Sequence, residues 1–435
     1  MTSLADTTPR REAASTPSSK KAVIAGTVGH ILEWYDFAVY GYVAIHIAAN
    51  FFPSEDKTAS LLASLAAFGV GFAARPIGGI VFGRVGDTRG RRAVLLATLL
   101  LMAVSTLLIG LLPTYGMIGL FAPLLLVIAR LLQGFSAGGE TTTAAAFIVE
   151  WAPNGKRGLY GSFQQMGSGA GLLLGSLTVA AITTLLPEQA MSEWGWRIPF
   201  VIGGILAPIA FIIRRSAHET PKFNTMSEQK RQGGLAPQAR GATFQRIVKA
   251  FLFSLFWSVG FYFFLSYMPT YAIRELKLDS STVFWLSSAA SLIYIIAIPI
   301  SGAASDVIGR KATLLISCAV FTLASLPIFI FLNNNPTTFN YFIVVALIGL
   351  FFSMYTGPAA ATLSEIFPTS SRSSGMAIGY NISTVVFGGF TPFIATWLIA
   401  TFGTPLAPIY YVVASALAGG LFVITLKETA GAPLH

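Results

Sequence analysis

Residues 83–92 read GRVGDTRGRR and residues 302–311 read GAASDVIGRK. Gly83, Asp87, Gly90, Arg91 and Arg92 thus recur as Gly302, Asp306, Gly309, Arg310 and Lys311, each 219 positions on. A second set, Glu150, Pro153 and Arg157, recurs as Glu365, Pro368 and Arg372 at an offset of 215. Two motifs repeating at nearly one offset, close to half of a 435-residue chain, mark a duplicated unit. Asp87 and Asp306 sit where a carboxylate at a helix end can pair with neighbouring basic residues. The glycines beside them permit tight turns.

What surrounds these loops is apolar. Hydrophobic residues make up 54% of the chain and charged residues only 11%, against about 25% in a soluble domain. So little charge cannot cover a water-facing surface. Twelve apolar stretches begin near Val23, Thr58, Ala93, Met117, Gly158, Trp196, Phe244, Ser281, Ala312, Thr337, Ser374 and Ala407. Each is long enough for a hydrocarbon core that needs about 20 residues per helix. The expected architecture is all-α and integral to a membrane, with two six-helix bundles. Residues 1–21 are read as a disordered tail, 22–215 as the first bundle, 216–243 as a linker, 244–427 as the second bundle and 428–435 as a short tail. The segment after Lys20 and Lys21 is expected to stay as the first membrane helix, being too long for a signal-peptide core.

The formal net charge of +10 raises nucleic-acid binding as an alternative, and position decides against it. On alternate loops and tails, 22 of the 28 Lys and Arg fall on one face. That asymmetry is the positive-inside pattern and puts both termini and the linker in the cytoplasm. A lone cysteine, Cys318, in LLISCAVFT excludes an intrachain disulfide and reads as a small buried hydrophobe. With four His, no HExxH and no nucleophile beside an obvious base, neither a metal site nor an enzyme is expected. A transporter-like sensor lacks an evident output domain.

Five charges lie within apolar stretches: Glu33, Asp36, Arg75, Arg130 and Glu140. Each costs about 2.5 to 3.5 kcal/mol at a helix centre if unpaired, so partners and a function are implied. Glu33 and Asp36 share a helix face, and Arg130, Gln133 and Glu140 form one polar stripe flanked by Gly134, Gly138 and Gly139. Asp36, Glu33 and Glu140 are candidate proton carriers, with Asp36 nearest mid-helix. Arg130 is the candidate partner of a substrate carboxylate. Arg75 is left open between structural and functional roles, and His30 is read as a local hydrogen-bonding group. The second half offers only neutral candidates, among them Tyr262, Tyr267, Tyr355, Tyr380 and Asn381; Tyr40, Gln133 and Gln164 join them from the first half. The gate is expected at Asp87, Arg91, Arg92, Asp306, Arg310, Glu150, Arg157, Glu365 and Arg372.

The doubled G-x-x-x-D-x-x-G-R-R/K loop in a twelve-helix frame resembles the signature of the major facilitator superfamily, with Thr88 standing where that family often has arginine. GHILEWYDFAVYGY (29–42), FAARPIGGIVFGRVGD (72–87), RLLQGFSAGGE (130–140) and SEWGWRIPF (192–200) look like its metabolite:proton symporter branch. The resemblance implies secondary active transport by alternating access, with the proton as coupling ion and no cofactor. It also implies a monomer in a bacterial inner membrane. The branch includes carriers of citrate, α-ketoglutarate, shikimate and proline or glycine betaine. Arg130, FYFFLSYMPTY, SMYTGPAAATLSE and VFGGFTP look most like the citrate carriers, whereas EWYDFAVYGY and KETAGAPL look like the proline/betaine carriers. A carboxylate substrate, citrate or another di- or tricarboxylate, is the first expectation. A zwitterionic osmolyte held in an aromatic cage of Trp34, Trp257 and Trp285 is the second.

Overall fold

The computed structural model describes residues 19–216, 218–220, 228, 240–368 and 371–432. Among these every regular element is helical. Twelve long elements form the frame. In the first half they are α1 (Ser19–Tyr42), α2 (Lys57–Ala73 and Arg75–Arg89), α3 (Arg91–Leu111), α4 (Phe121–Glu150), α5 (Arg157–Leu185) and α6 (Ile198–Arg215). In the second they are α7 (Arg240–Gly260, then Phe261–Tyr267 and Met268–Arg274), α8 (Ser280–Ile308), α9 (Arg310–Asn334), α10 (Thr338–Glu365), α11 (Arg372–Ser383, Thr384–Gly389 and Thr391–Phe402) and α12 (Ala407–Thr425). Of the tail expected over residues 1–21, residues 1–18 lie outside the described residues, as does most of the expected linker, whereas 19–21 are not a disordered tail but the first turn of α1, which runs on into the apolar stretch. The helix expected from residue 244 starts earlier, at Arg240.

Eleven of these elements are long and apolar enough to cross a membrane. The twelfth, α1, carries Lys20, Lys21, Glu33 and Asp36 in its 24 residues, the polar load of a helix that serves the interior of the bundle. The large apolar side chains left exposed, such as Ile77, Leu100, Leu124, Ile209, Leu323 and Leu421, lie on these helices, as a lipid-facing surface requires.

The repeated loops have the same backbone. Gly90 and Gly309 both take left-handed φ, 97° and 103°, and turn the chain from α2 into α3 and from α8 into α9. Caps repeat as well. Asp56 accepts from the Thr58 N–H at the start of α2, and Asp279 from the Thr282 N–H at the start of α8, both at 2.8 Å. The halves differ in regularity: α7 and α11 each contain a π-helical turn, Phe261–Tyr267 and Thr384–Gly389, whereas no described element of the first half does. The halves meet along two seams, α5 with α8 and α10, and α2 with α11.

Candidate functional site

Helices α2 and α4 touch backbone to backbone, which fixes the central charges. A Cβ on Gly71 would lie 2.9 Å from the carbonyl oxygen of Arg130, so only glycine lets the helices close. Arg75 and Arg130 are thereby held in the protein interior, fully buried. The Arg75 guanidinium pairs with Glu33 at 3.2 Å and lies over the rings of Phe72 (4.4 Å) and Phe37 (4.7 Å). The role of Arg75 is open in the sequence; its place against Glu33 comes from a helix break at Ala74 and from Pro76 at the start of the next segment.

Glu33 is fully engaged. Besides Arg75 it accepts from the Thr141 hydroxyl (3.1 and 3.3 Å) and contacts His30 Nδ1 at 3.1 Å. Trp34 Nε1–H donates to His30 Nε2 at 2.9 Å. An indole N–H can only donate, so the imidazole proton belongs on Nδ1, facing Glu33. Gln164 and Ser168 also reach His30 Nε2, at 2.8 and 2.9 Å. The local role expected of His30 is what its contacts describe.

Arg130 differs from the other buried arginines of this centre: among the described residues no carboxylate lies within ion-pair distance. Nη1 donates to Gln133 Oε1 at 2.7 Å, while Nε and Nη2 are buried without a hydrogen-bond partner. Ring faces surround the guanidinium, Tyr40 at 4.3 Å, Phe68 at 4.9 Å and Phe37 at 5.1 Å. From Gln133 a chain continues, Nε2 donating to Thr106 Oγ1 at 2.9 Å and the Thr106 hydroxyl donating to Asp36. Asp36, 4% exposed, has no cation within 4.0 Å among the described residues. One hydrogen-bonded line thus joins the buried carboxylate without a counter-ion to the buried guanidinium without one.

Glu140 stands apart. It forms a two-pronged ion pair with Arg214 and accepts from the Thr98 hydroxyl at 2.6 Å. Arg214, read from sequence as one of the basic loop residues, is instead 1% exposed and also donates to the carbonyls of Leu95 and Ala25. Counting it with the five expected charges gives three carboxylates and three guanidiniums, so the buried set is balanced rather than one charge negative.

The second half brings rings and amides to this centre. Phe261 lies 4.2 Å from Trp34, and Tyr262, whose hydroxyl is buried without a partner, 5.1 Å from Phe72. Tyr380 packs on Trp257 at 5.0 Å, and Asn381 Nδ2 donates across the seam to the Gly138 carbonyl at 2.8 Å, leaving its Oδ1 without a partner. Tyr267 and Tyr355 are not in this group: their hydroxyls hydrogen-bond Thr396 (2.8 Å) and the Phe253 carbonyl (2.7 Å) inside the second half. Trp285 is half exposed at the far end of α8, away from Trp34 and Trp257, so the three tryptophans form no common cage.

The expected gate residues gather at the other end of the seams. Arg372 pairs with Glu150 at 3.3 Å and Arg157 with Glu365 at 3.5 Å, both across the halves. Asp306 accepts from the N–H groups of Gly158 and Leu159 at the start of α5, 2.9 Å each, and pairs with Arg310 at 2.8 Å. Arg91 lies 3.8 Å from Glu150. Arg92 stays within its own half, donating to the Arg215 carbonyl at 2.6 Å. The side chain of Asp87 lies outside the described residues.

A third repeat, missed in sequence, supports this clamp. Glu219 and Thr220 after α6 correspond to Glu428 and Thr429 after α12. Glu219 accepts from the Arg92 N–H (3.1 Å), and Glu428 from those of Arg310 and Lys311 (3.0 Å each). Thr220 donates to Glu150 at 2.9 Å and Thr429 to Glu365 at 2.6 Å. The signal was HETPK beside KETAG, too short to notice alone. At the opposite end the halves also touch, through Tyr42 to the Leu265 carbonyl (3.2 Å) and Thr184 to Ser281 (2.9 Å).

Residues 21–234 match the family model for "Sugar (and other) transporter", and residues 258–434 that for "Major Facilitator Superfamily". The proline/betaine transporter of Escherichia coli (strain K12) is 37% identical over 426 residues, covering 95% of this chain and 85% of that protein. The chain belongs to the major facilitator superfamily. The glycine betaine/proline/ectoine/pipecolic acid transporter of Dickeya dadantii is likewise 37% identical over 426 residues, 95% of this chain and 84% of that one. Among solved structures, the proton:xylose symporter XylE bound to 6-bromo-6-deoxy-D-glucose superposes with a TM-score of 0.80 at 20% identity, covering 96% and 97% of the two chains. At that identity the likeness supports the twelve-helix fold alone. The chain is therefore a multi-pass membrane transporter, and the first expectation, citrate, gains no support from these relatives.

Proposed function

We propose that this transporter takes up a zwitterionic compatible solute of the proline or glycine betaine type together with a proton. The observation that carries this reading is Arg130, a buried guanidinium with two unpartnered N–H groups inside a ring of aromatic faces. A single substrate carboxylate meets those donors in the bidentate manner arginine favours. The cationic end of the same molecule has the faces of Trp34, Phe261 and Tyr262 beside it. A zwitterion leaves the balanced charge of the centre unchanged. A tricarboxylate would set up to three negative charges against one guanidinium with free donors, a cost a low-dielectric interior does not tolerate. The names of the relatives agree with the zwitterion.

Asp36 is the proposed proton carrier. Protonation neutralises its buried carboxylate, and the Thr106–Gln133 line connects that event to Arg130. Glu33 and Glu140 are committed to arginines and are proposed to hold α1, α2, α4 and α6 in register. The clamp of Glu150, Arg372, Arg157, Glu365, Asp306 and Arg310 closes one face, which the distribution of Lys and Arg makes the cytoplasmic one, in a bacterial inner membrane. The test is uptake of labelled proline, glycine betaine and citrate into proteoliposomes with an imposed pH gradient. Gradient-driven accumulation of a zwitterion is expected. Accumulation of citrate with neither zwitterion taken up would overturn the reading.

A further inference from the structure

A cavity of about 240 Å³ opens between the ends of α7, α9, α10 and α12, away from the central site. Arg246, Lys249, Arg310, Lys311 and Lys427 line it against one carboxylate, Glu365. Among the described residues, Arg246, Lys249 and Lys427 have no carboxylate within 4.0 Å. Arg310 is 3% exposed, and its Nε is buried without a partner although the rest of its guanidinium is paired. Arg310 is paired with Asp306 and Glu365 and the Lys311 ammonium donates to the Ile424 carbonyl, but three cations without a carboxylate and one orphaned buried donor leave the lining complementary to an anion.

The level of the cavity narrows the anion. Arg246 lies three residues inside the span Thr243–Arg274, Arg310 begins the span Arg310–Asn334, Glu365 ends Thr338–Glu365, and Lys427 lies two residues past Ala407–Thr425. All four positions are at the polar boundary of the bilayer. Phe244 and Ile424, more than half exposed, lie next in sequence to this level and present apolar surface. Basic pockets between helices at this depth fit phosphate-bearing head groups.

We infer that this cavity binds a phosphate-bearing anion, either the phosphodiester of an anionic lipid or free phosphate. Its position has a mechanical consequence. Glu365, which joins the clamp through Arg157 and Thr429, shares Arg310 with the cavity at 3.5 Å. A bound phosphate competes with Glu365 for that arginine and so bears on the contact between the halves.

The test uses the purified full chain in detergent, with dioleoyl phosphatidylglycerol, dioleoyl phosphatidylcholine and inorganic phosphate as probes. Lipid adducts are read by native mass spectrometry and phosphate binding by the thermal unfolding midpoint. The triple variant R246Q/K249Q/K427Q is compared with K57Q/K277Q, which removes two cations elsewhere. Phosphatidylglycerol affinity is expected to fall at least about tenfold in the triple variant and to hold in the control. Loss of phosphate stabilisation in the triple variant, without a lipid effect, assigns the cavity to free phosphate. Equal phosphatidylglycerol and phosphate binding in wild type and triple variant, or phosphatidylcholine bound as well as phosphatidylglycerol, overturns the inference. Should the triple variant fail to fold, exposed K249E alone carries the same comparison.

Discussion

The two halves share loops, caps and the Glu-Thr latch, yet their interiors are chemically opposite. At the offset of 219, Arg75 corresponds to Tyr294; at 215, Arg130, Gln133 and Glu140 correspond to Val345, Ile348 and Tyr355. At the offset of 209 between Glu219 and Glu428, Arg214 corresponds to Val423. Where the first half pairs Arg75 with Glu33, the second has Tyr294 donating to Thr356 at 3.0 Å. Duplication kept what turns the chain and lets the halves touch, and diverged in the buried interior of each half. The first half concentrates charge on helices that, among the described residues, contain no π-helical turn. The second supplies rings, hydroxyls and the two π-helical turns, the kind of local irregularity that often marks functional helices.

The largest effect that separates the halves is expected in stability. R214A strips the counter-ion from Glu140 and leaves a buried carboxylate with only the Thr98 hydroxyl, a loss of about 3 to 5 kcal/mol. V423A at the corresponding place removes only apolar contacts, about 1 kcal/mol or somewhat more. Thermal unfolding of both in detergent checks this. Equal midpoints would mean that the buried pairs of the first half contribute no more than packing.

Next comes coupling. D36N keeps the size of the side chain but cannot carry the proton. Under a pH gradient of one unit, single-proton symport accumulates substrate about tenfold. D36N is expected to bring this ratio to one while exchange of labelled for unlabelled substrate continues. Retained accumulation would move the proton site away from the Asp36–Thr106–Gln133–Arg130 line.

A smaller effect tests the neutral half. Y294F removes the hydrogen bond to Thr356 and is expected to cost about 1 kcal/mol in unfolding, far less than removal of Arg214. A loss as large as that of R214A would mean the second half hides a polar network as demanding as the first.

How much of this was legible follows the same division. The twelve helices, the duplication and the clamp could be read because apolar length and repeated spacing are properties of the sequence itself. Glu150, Arg157, Glu365 and Arg372 meet across the halves because each occupies the corresponding helix end in its repeat. Arg214 could not be read: it ends an apolar helix next to Arg215, and only the fold shows one of the two turning inward onto Glu140. Glu140 stands among the candidate proton carriers for the same reason, because its partner is not legible in the sequence. Arg75 needed the glycine contact between α2 and α4, a property of two helices at once. Among the tyrosines, composition gave the right kind of residue, but Tyr262 and Tyr380 reach the centre while Tyr267 and Tyr355 are taken up by partners within their own half.

The smallest expected difference lies in the latch itself. Glu428 accepts from four backbone N–H groups, those of Arg310, Lys311, Thr429 and Ala430, and Glu219 from two among the described residues, those of Arg92 and Thr220. Partial burial pushes the Glu428 carboxyl up, but the backbone donors together outweigh it and hold the group below its ordinary 4.5. A carboxyl lowered on folding adds stability above its unfolded pKa and loses it as pH falls through the folded one. The wild type is therefore expected to lose this increment only below about pH 4.5, the group's ordinary value. E428Q should lack the increment at neutral pH and show a flatter acid limb, by less than about 1 kcal/mol given the exposure of the site. E219Q, with fewer donors lost, should shift the unfolding midpoint less than E428Q. The reverse order would mean that the latch of the first half, beneath the charged centre, is the one that holds the clamp.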